Sequence, residues 1–248
     1  STGAAIRQVG EVWSAGFHVP ALDGPVAAVL PSASGDVYVG GDFGAAGPVD
    51  AANIARWDGT AWHALGSGPD GPVHALAESS AGDVYAGGAF AVAGGETCAN
   101  IARWDGTAWS ALGAGTAGPV QALAIDDAGR LVAAGAFGSA GGVPAANIAR
   151  WDGTAWTALG TGTDGAVYAL AAVSTGSVYV GGAFTSAGGL VARHVARWDG
   201  SAWRTMGSGL GDDVLALRVS GTTVYAGGRF LNAGGSSRGS YVAKWTGS

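Results

Sequence analysis

The sequence predicts an all-β fold, a five-bladed β-propeller with four antiparallel strands in each blade. Tryptophans recur at a spacing of 47 residues (Trp57, Trp104, Trp151, Trp198 and Trp245), and the dipeptide Asp-Gly follows the first four of them. Apolar residues alternate with the period of a strand, and glycine interrupts every unit, which disfavours helical repeats. One repeat across nearly the whole chain favours a single closed array of sheets, and an open β-solenoid is the alternative.

The second unit serves as the pattern for all five. It predicts strand a at 73–77, strand b at 84–90, strand c at 101–104 and strand d at 108–112. Asp105-Gly106 is a typical two-residue hairpin loop between strands c and d. That loop would pair Trp104 with Thr107 and would leave Trp109 diagonal to Trp104 on the same face of the sheet.

Counting strands along the chain predicts how the array closes. Strand a begins at Val26, Val73, Val120, Val167 and Val214, and strand b at Val37, Val84, Leu131, Val178 and Val224. Strand d follows only four of the five repeated tryptophans, whereas residues 9–15, with Trp13, resemble a strand d at the start of the chain. We therefore expect the N-terminal strand to complete the last blade, which removes the exposed edges of a linear array.

These counts give one domain over residues 1–248. The predicted blades are 26–66, 73–113, 120–160, 167–207, and 214–248 together with 9–15. Strands a and b are rich in alanine and glycine, and strands c and d carry tryptophan, as expected for sheets that diverge outward from a crowded axis.

Composition excludes several classes of partner. Charged residues make up only 12% of the chain and the formal net charge is −6, which disfavours nucleic acid and anionic membranes. No apolar run approaches the roughly 20 residues that a membrane-spanning helix needs. Cys98 is the only cysteine, so no intramolecular disulfide and no cysteine cluster for zinc can form. We expect a monomer without metal or cofactor.

The residues repeated in every unit have two interpretations each. The arginines of strand c, with the aspartates beside them, would either form hydrogen bonds between blades or line a ring that binds anions. The tryptophans would either fill the wedge between blades or stack on sugar rings. Recurrence in every blade favours the structural interpretation in both cases.

Candidate catalytic groups are few. Among the predicted innermost strands, only Glu78 and Asp126 place carboxylates near the axis, too few for a convincing glycosidase pair. The four histidines show no metal or triad spacing, and no helix follows the glycine-rich loops as phosphate binding would require. The sequence therefore predicts that the protein is not an enzyme.

The positions where the copies differ indicate a binding site. In an up-and-down blade the d–a and b–c connections share one rim, and the second residue of strand a lies near it. That residue and the one before the strand b phenylalanine vary most, which gives a candidate ligand-binding site at the tunnel mouth consisting of Asp42, His74, Gln121, Tyr168 and Arg229. Alternatively, Asp42 and Arg229 pair across the seam between the first and last blades.

The repeats resemble known propeller families. The glycine pairs of strand b (Gly40-Gly41, Gly87-Gly88, Gly181-Gly182 and Gly227-Gly228), each followed by a tryptophan-bearing hairpin, resemble kelch-type repeats and the galactose-oxidase-like propeller domain. The third unit departs from this with Ala134-Gly135, and no copper ligands occur at matching positions. The pattern VYVGGxF…NIARWDGTAWxALGxG is similar to repeats of secreted or cell-surface bacterial proteins and of fungal cortical-marker ectodomains.

This resemblance implies a secreted or surface protein whose signal peptide is not present in this chain. It also implies a non-catalytic binding or scaffold module with an unknown protein or glycan ligand. A glycan-binding lectin is the alternative, and a glycosidase-like enzyme is a minor one.

Overall fold

The chain forms consecutive antiparallel sheets. A computed structural model describes residues 22–173, 176–236 and 240–247. Five main sheets follow one another, the first four with four strands and the fifth with three among the described residues. In each four-stranded sheet the spatial order is a–b–c–d, an up-and-down meander. The predicted all-β fold of repeated four-stranded sheets is therefore confirmed.

The strand bounds show how closely the sheets repeat. Sheet 1 contains Val26–Pro31, Val37–Gly41, Ile54–Trp57 and Trp62–Ala64. Sheet 2 contains Val73–Glu78, Val84–Gly88, Ile101–Trp104 and Trp109–Ala111. Sheet 3 contains Val120–Ile125, Leu131–Gly135, Ile148–Trp151 and Trp156–Ala158. Sheet 4 contains Val167–Val173, Ser177–Gly182, Val195–Trp198 and Trp203–Thr205. Sheet 5 contains Val214–Ser220, Thr223–Gly228 and Val242–Trp245.

The b–c loops carry an additional element that the sequence analysis did not predict. In each of the first four sheets this loop folds into a hairpin of two two-residue strands: Ala45–Ala46 with Val49–Asp50, Val92–Ala93 with Glu96–Thr97, Ser139–Ala140 with Val143–Pro144, and Ser186–Ala187 with Leu190–Val191. The predicted start of strand a is confirmed in all five sheets, and strand b starts one residue early in sheets 4 and 5. The predicted strand 9–15 lies outside the described residues.

The predicted register of the Asp-Gly hairpin is wrong. Trp104 lies directly opposite Trp109, so the connection has four residues instead of two. The Asp105 carboxylate accepts hydrogen bonds from the backbone N–H groups of Thr107 and Ala108, both at 2.8 Å, and thereby stabilises a wider turn. The two tryptophans do share one face, as predicted, but as a directly opposed pair with ring centroids 5.4 Å apart.

Tryptophan hydrogen bonds join neighbouring sheets. In sheets 2 to 4 the indole N–H of the strand d tryptophan donates to the carbonyl of the residue that follows strand d of the preceding sheet: Trp109 to Leu65 at 2.7 Å, Trp156 to Leu112 at 2.7 Å, and Trp203 to Leu159 at 2.8 Å. All three side chains are buried. The packing role predicted for the tryptophans of strand d is confirmed.

Glycine allows the strands nearest the axis to approach one another. A Cβ added to Gly87 would lie 2.5 Å from Cγ1 of Val120 in the next sheet, and one added to Gly181 would lie 2.5 Å from Cγ1 of Val214. The glycine of strand b is therefore required by the contact between sheets rather than by a turn.

One face of the first sheet and one face of the fifth sheet are more exposed to solvent than the equivalent faces of the other sheets. Val26 is 41% exposed, whereas the equivalent valines of the other four sheets are fully buried. Val242 is 66% exposed, whereas its equivalents in sheets 1 to 4 are buried. The first and fifth sheets thus present to solvent the two surfaces that pack together at every internal sheet-to-sheet contact.

Candidate ligand-binding rim

The long connections meet at one end of the sheets. In the second sheet the N–H of Thr116, on the d–a connection, donates to the carbonyl of Ala99 in the b–c loop at 2.9 Å. The side-chain amide of Asn100 donates to the carbonyl of Thr116 at 2.8 Å. The two kinds of connection therefore lie side by side, as predicted, and we call this end of the molecule the loop rim.

A β-bulge places one unpaired residue at the loop rim in every sheet. Val73 pairs with Gly88 and Ala75 with Gly87, so His74 lies between two paired residues without a partner of its own. The same shift in register occurs in all five first strands, and the bulge residues are Ala27, His74, Gln121, Tyr168 and Leu215. These are the variable second residues of strand a. Bulges release a side chain from ladder pairing and often direct it toward a functional surface.

The structure brings two of the predicted site residues together. Asp42, which is exposed, and His74, which is half-buried, line one cavity of about 230 Å³ between the first and second sheets. His74 Nδ1 lies 3.2 Å from the carbonyl oxygen of Val120 in the third sheet. Gln121 and Tyr168 are half-buried at the equivalent bulges of the next two sheets. The predicted site residues are thus spread along the loop rim, and only Asp42 and His74 share a cavity.

Arg229 belongs to a different group of residues. Its guanidinium Nη1 lies 3.9 Å from Oδ2 of Asp213, and Nδ1 of His194 lies 3.7 Å from the other oxygen of that carboxylate. The ion-pair partner of Arg229 among the described residues is therefore Asp213, not Asp42 as the alternative interpretation proposed.

Sequence reasoning missed two neighbouring residues, Arg193 and the His194 of this group. The equivalent residues of the first three sheets are an alanine followed by an asparagine: Ala52-Asn53, Ala99-Asn100 and Ala146-Asn147. Each asparagine adopts a positive φ and donates from its side chain to a d–a carbonyl. His194 keeps that backbone, with φ 63°, but its ring lies 3.2 Å from the carbonyl of Gly182 instead.

These substitutions line an opening on the loop rim. A cavity of about 480 Å³ lies between sheets 4 and 5, and Arg193, His194 and Asn232 are among the residues that contribute its polar groups. Arg193 is exposed and forms no ion pair with another described residue. Among the described residues that line this cavity, none is Phe, Tyr or Trp. A comparison of the b–c loops between copies would have revealed the two substitutions from the sequence, but not the cavity.

The repeated charged residues have structural partners. Arg56 pairs with Asp36 and Arg103 with Asp83, each at 3.0 Å. Both aspartates lie just before strand b of the same sheet as the arginine. The structural interpretation therefore holds for these two arginines, but their bonds lie within one sheet and not between blades. The aspartates of the c–d turns accept hydrogen bonds from backbone N–H groups. At Asp105, hydrogen bonds from the N–H of Ala108 and from the hydroxyl and N–H of Thr107 lower the pKa of the carboxyl group to about 2.

The opposite end, which we call the turn rim, carries the other candidate groups. Glu78 accepts hydrogen bonds from Ser32 Oγ and the N–H of Ala33, and Asp126 pairs with Arg130 at 2.8 Å. Both candidate catalytic carboxylates are thus held at a–b turns.

A groove of about 210 Å³ between the first two sheets also opens on the turn rim. Its lining includes Tyr38, Arg56, His63 and Trp104. Trp104 is half-buried, and burial raises the pKa of Tyr38. The groove therefore combines aromatic and polar side chains.

Comparison with known proteins identifies the family. Residues 20–163 match the model of the Rax2 C-terminal β-propeller domain, which is more than half of the chain. The chain belongs to this family. The match supports a β-propeller but does not specifically support the kelch-type or galactose-oxidase-like group suggested by the glycine pairs. A search of curated proteins found no match.

Solved structures agree with the propeller fold. The chain is similar to the computationally designed Ika8 protein, with 21% identity and a TM-score of 0.58 over 90% of this chain and 58% of that one. It is also similar to the WD40 β-propeller domain of Doa1, with 14% identity and a TM-score of 0.56 over 85% and 64%. A third similar structure is YCF48 bound to D1 peptide, with 18% identity and a TM-score of 0.52 over 84% and 64%. The chain spans about three fifths of the length of these structures.

The described residues also bear on membrane association. Across residues 22–173, 176–236 and 240–247, no helix is long and apolar enough to span a bilayer.

Proposed function

We propose that the protein is a non-catalytic propeller module that binds a protein segment on its loop rim. The observation that carries this proposal is that the side chains departing from the repeat converge there. The bulge residues vary from sheet to sheet, and the Ala-Asn pair of the first three sheets is Arg193-His194 at the cavity between sheets 4 and 5. Positions that the fold does not hold constant are available for a ligand.

The chemistry of this cavity favours a peptide over a sugar. Sugar sites commonly use the flat face of a Trp, Tyr or Phe side chain, and none of the described cavity residues is of these types. Exposed aliphatic side chains flank it instead, Val191 at 73% and Leu231 at 59% exposed. Arg193 and Asn232 supply donors that suit a peptide carbonyl or carboxylate. The similarity to YCF48 bound to D1 peptide supports only the fold and adds no argument for a particular partner.

The proposal also includes the number of blades, the cellular location and the oligomeric state. Five copies of one sheet support a five-bladed propeller, and the resemblance of the repeats supports a secreted or cell-surface protein. We expect it to act as a monomeric scaffold. Light scattering tests the oligomeric state, and surface labelling of cells expressing the tagged full-length gene product tests the location.

The decisive experiment uses the repeat as its own control. Arg193→Ala with His194→Asn restores the pair found in the first three sheets, so this variant should fold normally. Arg204→Thr introduces the residue of the third sheet at an exposed position of strand d and serves as the matched control. Binders selected from a random-peptide phage library against the natural chain should lose affinity for the double variant and keep it for the control.

Two outcomes would contradict the proposal. Peptides that bind the double variant as well as the natural chain would exclude the cavity as the site. Failure to select any peptide, together with retention on a glycan array, would instead establish glycan binding.

Glycan binding is the second candidate because of the groove on the turn rim. Trp104 and Tyr38 provide apolar faces there, and His63, whose Nε2 lies 2.6 Å from Asp58 Oδ2, provides a polar edge. His63→Ser gives this position the residue of the second sheet, Ser110, and should abolish retention on the array if the groove binds sugar. A glycosidase-like activity is a minor alternative that requires Glu78 and Asp126 to act on a substrate.

A further inference from the structure

The residue three positions before each strand a lies beside the b–c loop of the same sheet. In all five sheets its backbone N–H donates to the carbonyl of a residue in that loop, at 2.9–3.2 Å. These five residues are Asp23, Asp70, Ala117, Asp164 and Gly211. The backbone contact is therefore the same in every sheet, and only the side chain at this position differs.

In three sheets this side chain is an aspartate that binds the loop. Oδ1 of Asp70 accepts hydrogen bonds from two consecutive N–H groups, those of Ala91 at 2.8 Å and Val92 at 3.0 Å. Asp23 and Asp164 bind the equivalent N–H groups of their own loops at 2.8–2.9 Å. The two backbone hydrogen bonds lower the pKa of Asp23, because they stabilise its charged form. Consecutive N–H groups in such an arrangement form an anion-binding concavity.

The fifth sheet fills the same position from the loop itself. A Cβ added to Gly211 would collide with the side-chain amide of Asn232. The side chain of a loop residue thus occupies the space that an aspartate occupies in the first, second and fourth sheets.

The third sheet has neither an aspartate nor a replacement for it. Ala117 is exposed, and no acceptor for the N–H of Gly138 is found among the described residues. The carbonyl of Ser139 accepts from the N–H of Ala117 at 3.0 Å, so the N–H of Ser139, which points the same way in an extended strand, also faces this position. A Cβ added to Gly138 would meet no described atom within 4 Å, whereas one added to Gly44 of the first sheet would lie 3.4 Å from Oδ2 of Asp23.

We propose that the N–H groups of Gly138 and Ser139 form a binding site for one carboxylate of the protein segment that binds the loop rim. This carboxylate takes the place of the aspartate that three other sheets supply themselves, and it accepts the same two hydrogen bonds. Hydrogen bonds to a charged acceptor are stronger than neutral ones, so the site selects an acidic group over an amide. The inference rests on the proposed function, and it names an acidic side chain or a free C-terminus as the group that is recognised.

Nuclear magnetic resonance of the isotope-labelled full chain tests the site with small probes. N-acetyl-aspartate amide carries only the side-chain carboxylate, and N-acetyl-alanine carries only a terminal one. Whichever kind of carboxylate the site accepts should move the amide proton resonances of Gly138 and Ser139 downfield as its concentration rises. N-acetyl-asparagine amide, which has no charge, should leave both resonances in place.

Variants that imitate the other sheets provide the controls. Ala117→Asp introduces the residue of sheets 1, 2 and 4, so it should fold normally, fill the site from within and abolish the response. Ala114→Asp adds the same charge at an exposed position of the same connection and should preserve the response. Asp70→Ala removes the carboxylate of the second sheet and should create a second response, at Ala91 and Val92. A peptide selected on the loop rim should lose affinity at least tenfold for Ala117→Asp and less than twofold for Ala114→Asp.

The outcomes separate this inference from the proposed function. A carboxylate-dependent response at Gly138 and Ser139 that only Ala117→Asp abolishes supports the site. No response to either carboxylate probe, or equal loss with both aspartate variants, overturns it, and unchanged affinity of every selected peptide for Ala117→Asp excludes a protein segment as the ligand. The small probes need no peptide, so the site is decided even where none is selected, and its failure leaves peptide binding at Arg193 intact.

Discussion

Replacing one tryptophan of a pair should separate the hydrogen bond between sheets from the burial of the ring. In the fourth sheet Trp203 donates to the carbonyl of Leu159 at 2.8 Å, and it is 5% exposed. Its neighbour Trp198 is 8% exposed, and its indole N–H has no hydrogen-bond partner among the described residues. The ring centroids are 5.6 Å apart, so the two side chains share their surroundings.

The expected magnitude follows from this difference. Trp203→Phe and Trp198→Phe remove similar amounts of buried ring, so the loss of apolar contacts is common to both. Trp203→Phe also removes the hydrogen bond to the carbonyl of Leu159. That carbonyl still accepts from the N–H of Gly162 at 3.1 Å, so the added loss is that of one hydrogen bond, about 0.5–1.5 kcal/mol. Trp198→Phe removes a buried donor that lacks a partner, which offsets part of its packing loss. We expect Trp203→Phe to be the more destabilising by about 0.5–1.5 kcal/mol.

Urea denaturation followed by circular dichroism measures both free energies of unfolding. For a chain of this size the difference corresponds to about 2–4 °C in melting temperature for each kcal/mol. Equal destabilisation by the two variants would refute the reasoning, because it would mean that the hydrogen bond between sheets contributes no net stability.

Two other predictions concern acid stability and the rim. The pKa of Asp105 is lowered to about 2 in the folded chain by hydrogen bonds from backbone N–H groups, so its stabilising effect is complete above about pH 4 and is lost as the pH falls toward 2. Asp105→Asn should therefore flatten the dependence of unfolding free energy on pH in that range, and parallel curves for variant and natural chain would contradict the assignment. Alanine at His74, Tyr168 and Arg229 together should weaken binding of a peptide selected on the loop rim at least tenfold, about 1.4 kcal/mol in binding free energy, measured by calorimetry. Unchanged affinity would remove these residues from the site.

The repeat made the sheets predictable from sequence, but not the details of the turns. The tryptophan spacing and the alternating apolar residues identify each strand because both are set by burial against the neighbouring sheets. The register at Asp105-Gly106 was wrong because the dipeptide suits a two-residue loop, whereas the aspartate side chain competes by binding two backbone N–H groups. The small hairpins of the b–c loops were missed because strands of two residues leave no periodic pattern.

The candidate site could be predicted only in part. Variation in strand a identified His74 and Tyr168 correctly as residues near one rim, but their release from pairing by a bulge depends on register, which needs the partner strand. Arg193 and His194 were overlooked even though the copies differ there as plainly as in strand a. Their significance depends on the cavity between sheets 4 and 5, and a cavity between sheets has no signature in one repeat.

The bulge at the start of each strand a separates the residues that hold the sheet together from a residue that is free to contact a ligand. The ladder on either side, such as Val73 with Gly88 and Ala75 with Gly87, fixes the sheet, while the residue between them contributes to neither pair. Five such positions lie on one rim, so each can change its chemistry without requiring a compensating change in a partner strand. A library that randomises residues 27, 74, 121, 168 and 215 would vary the recognition surface while the hydrogen-bonded framework stays constant. By the same substitutions, a tandem repeat of identical copies can acquire an asymmetric binding surface.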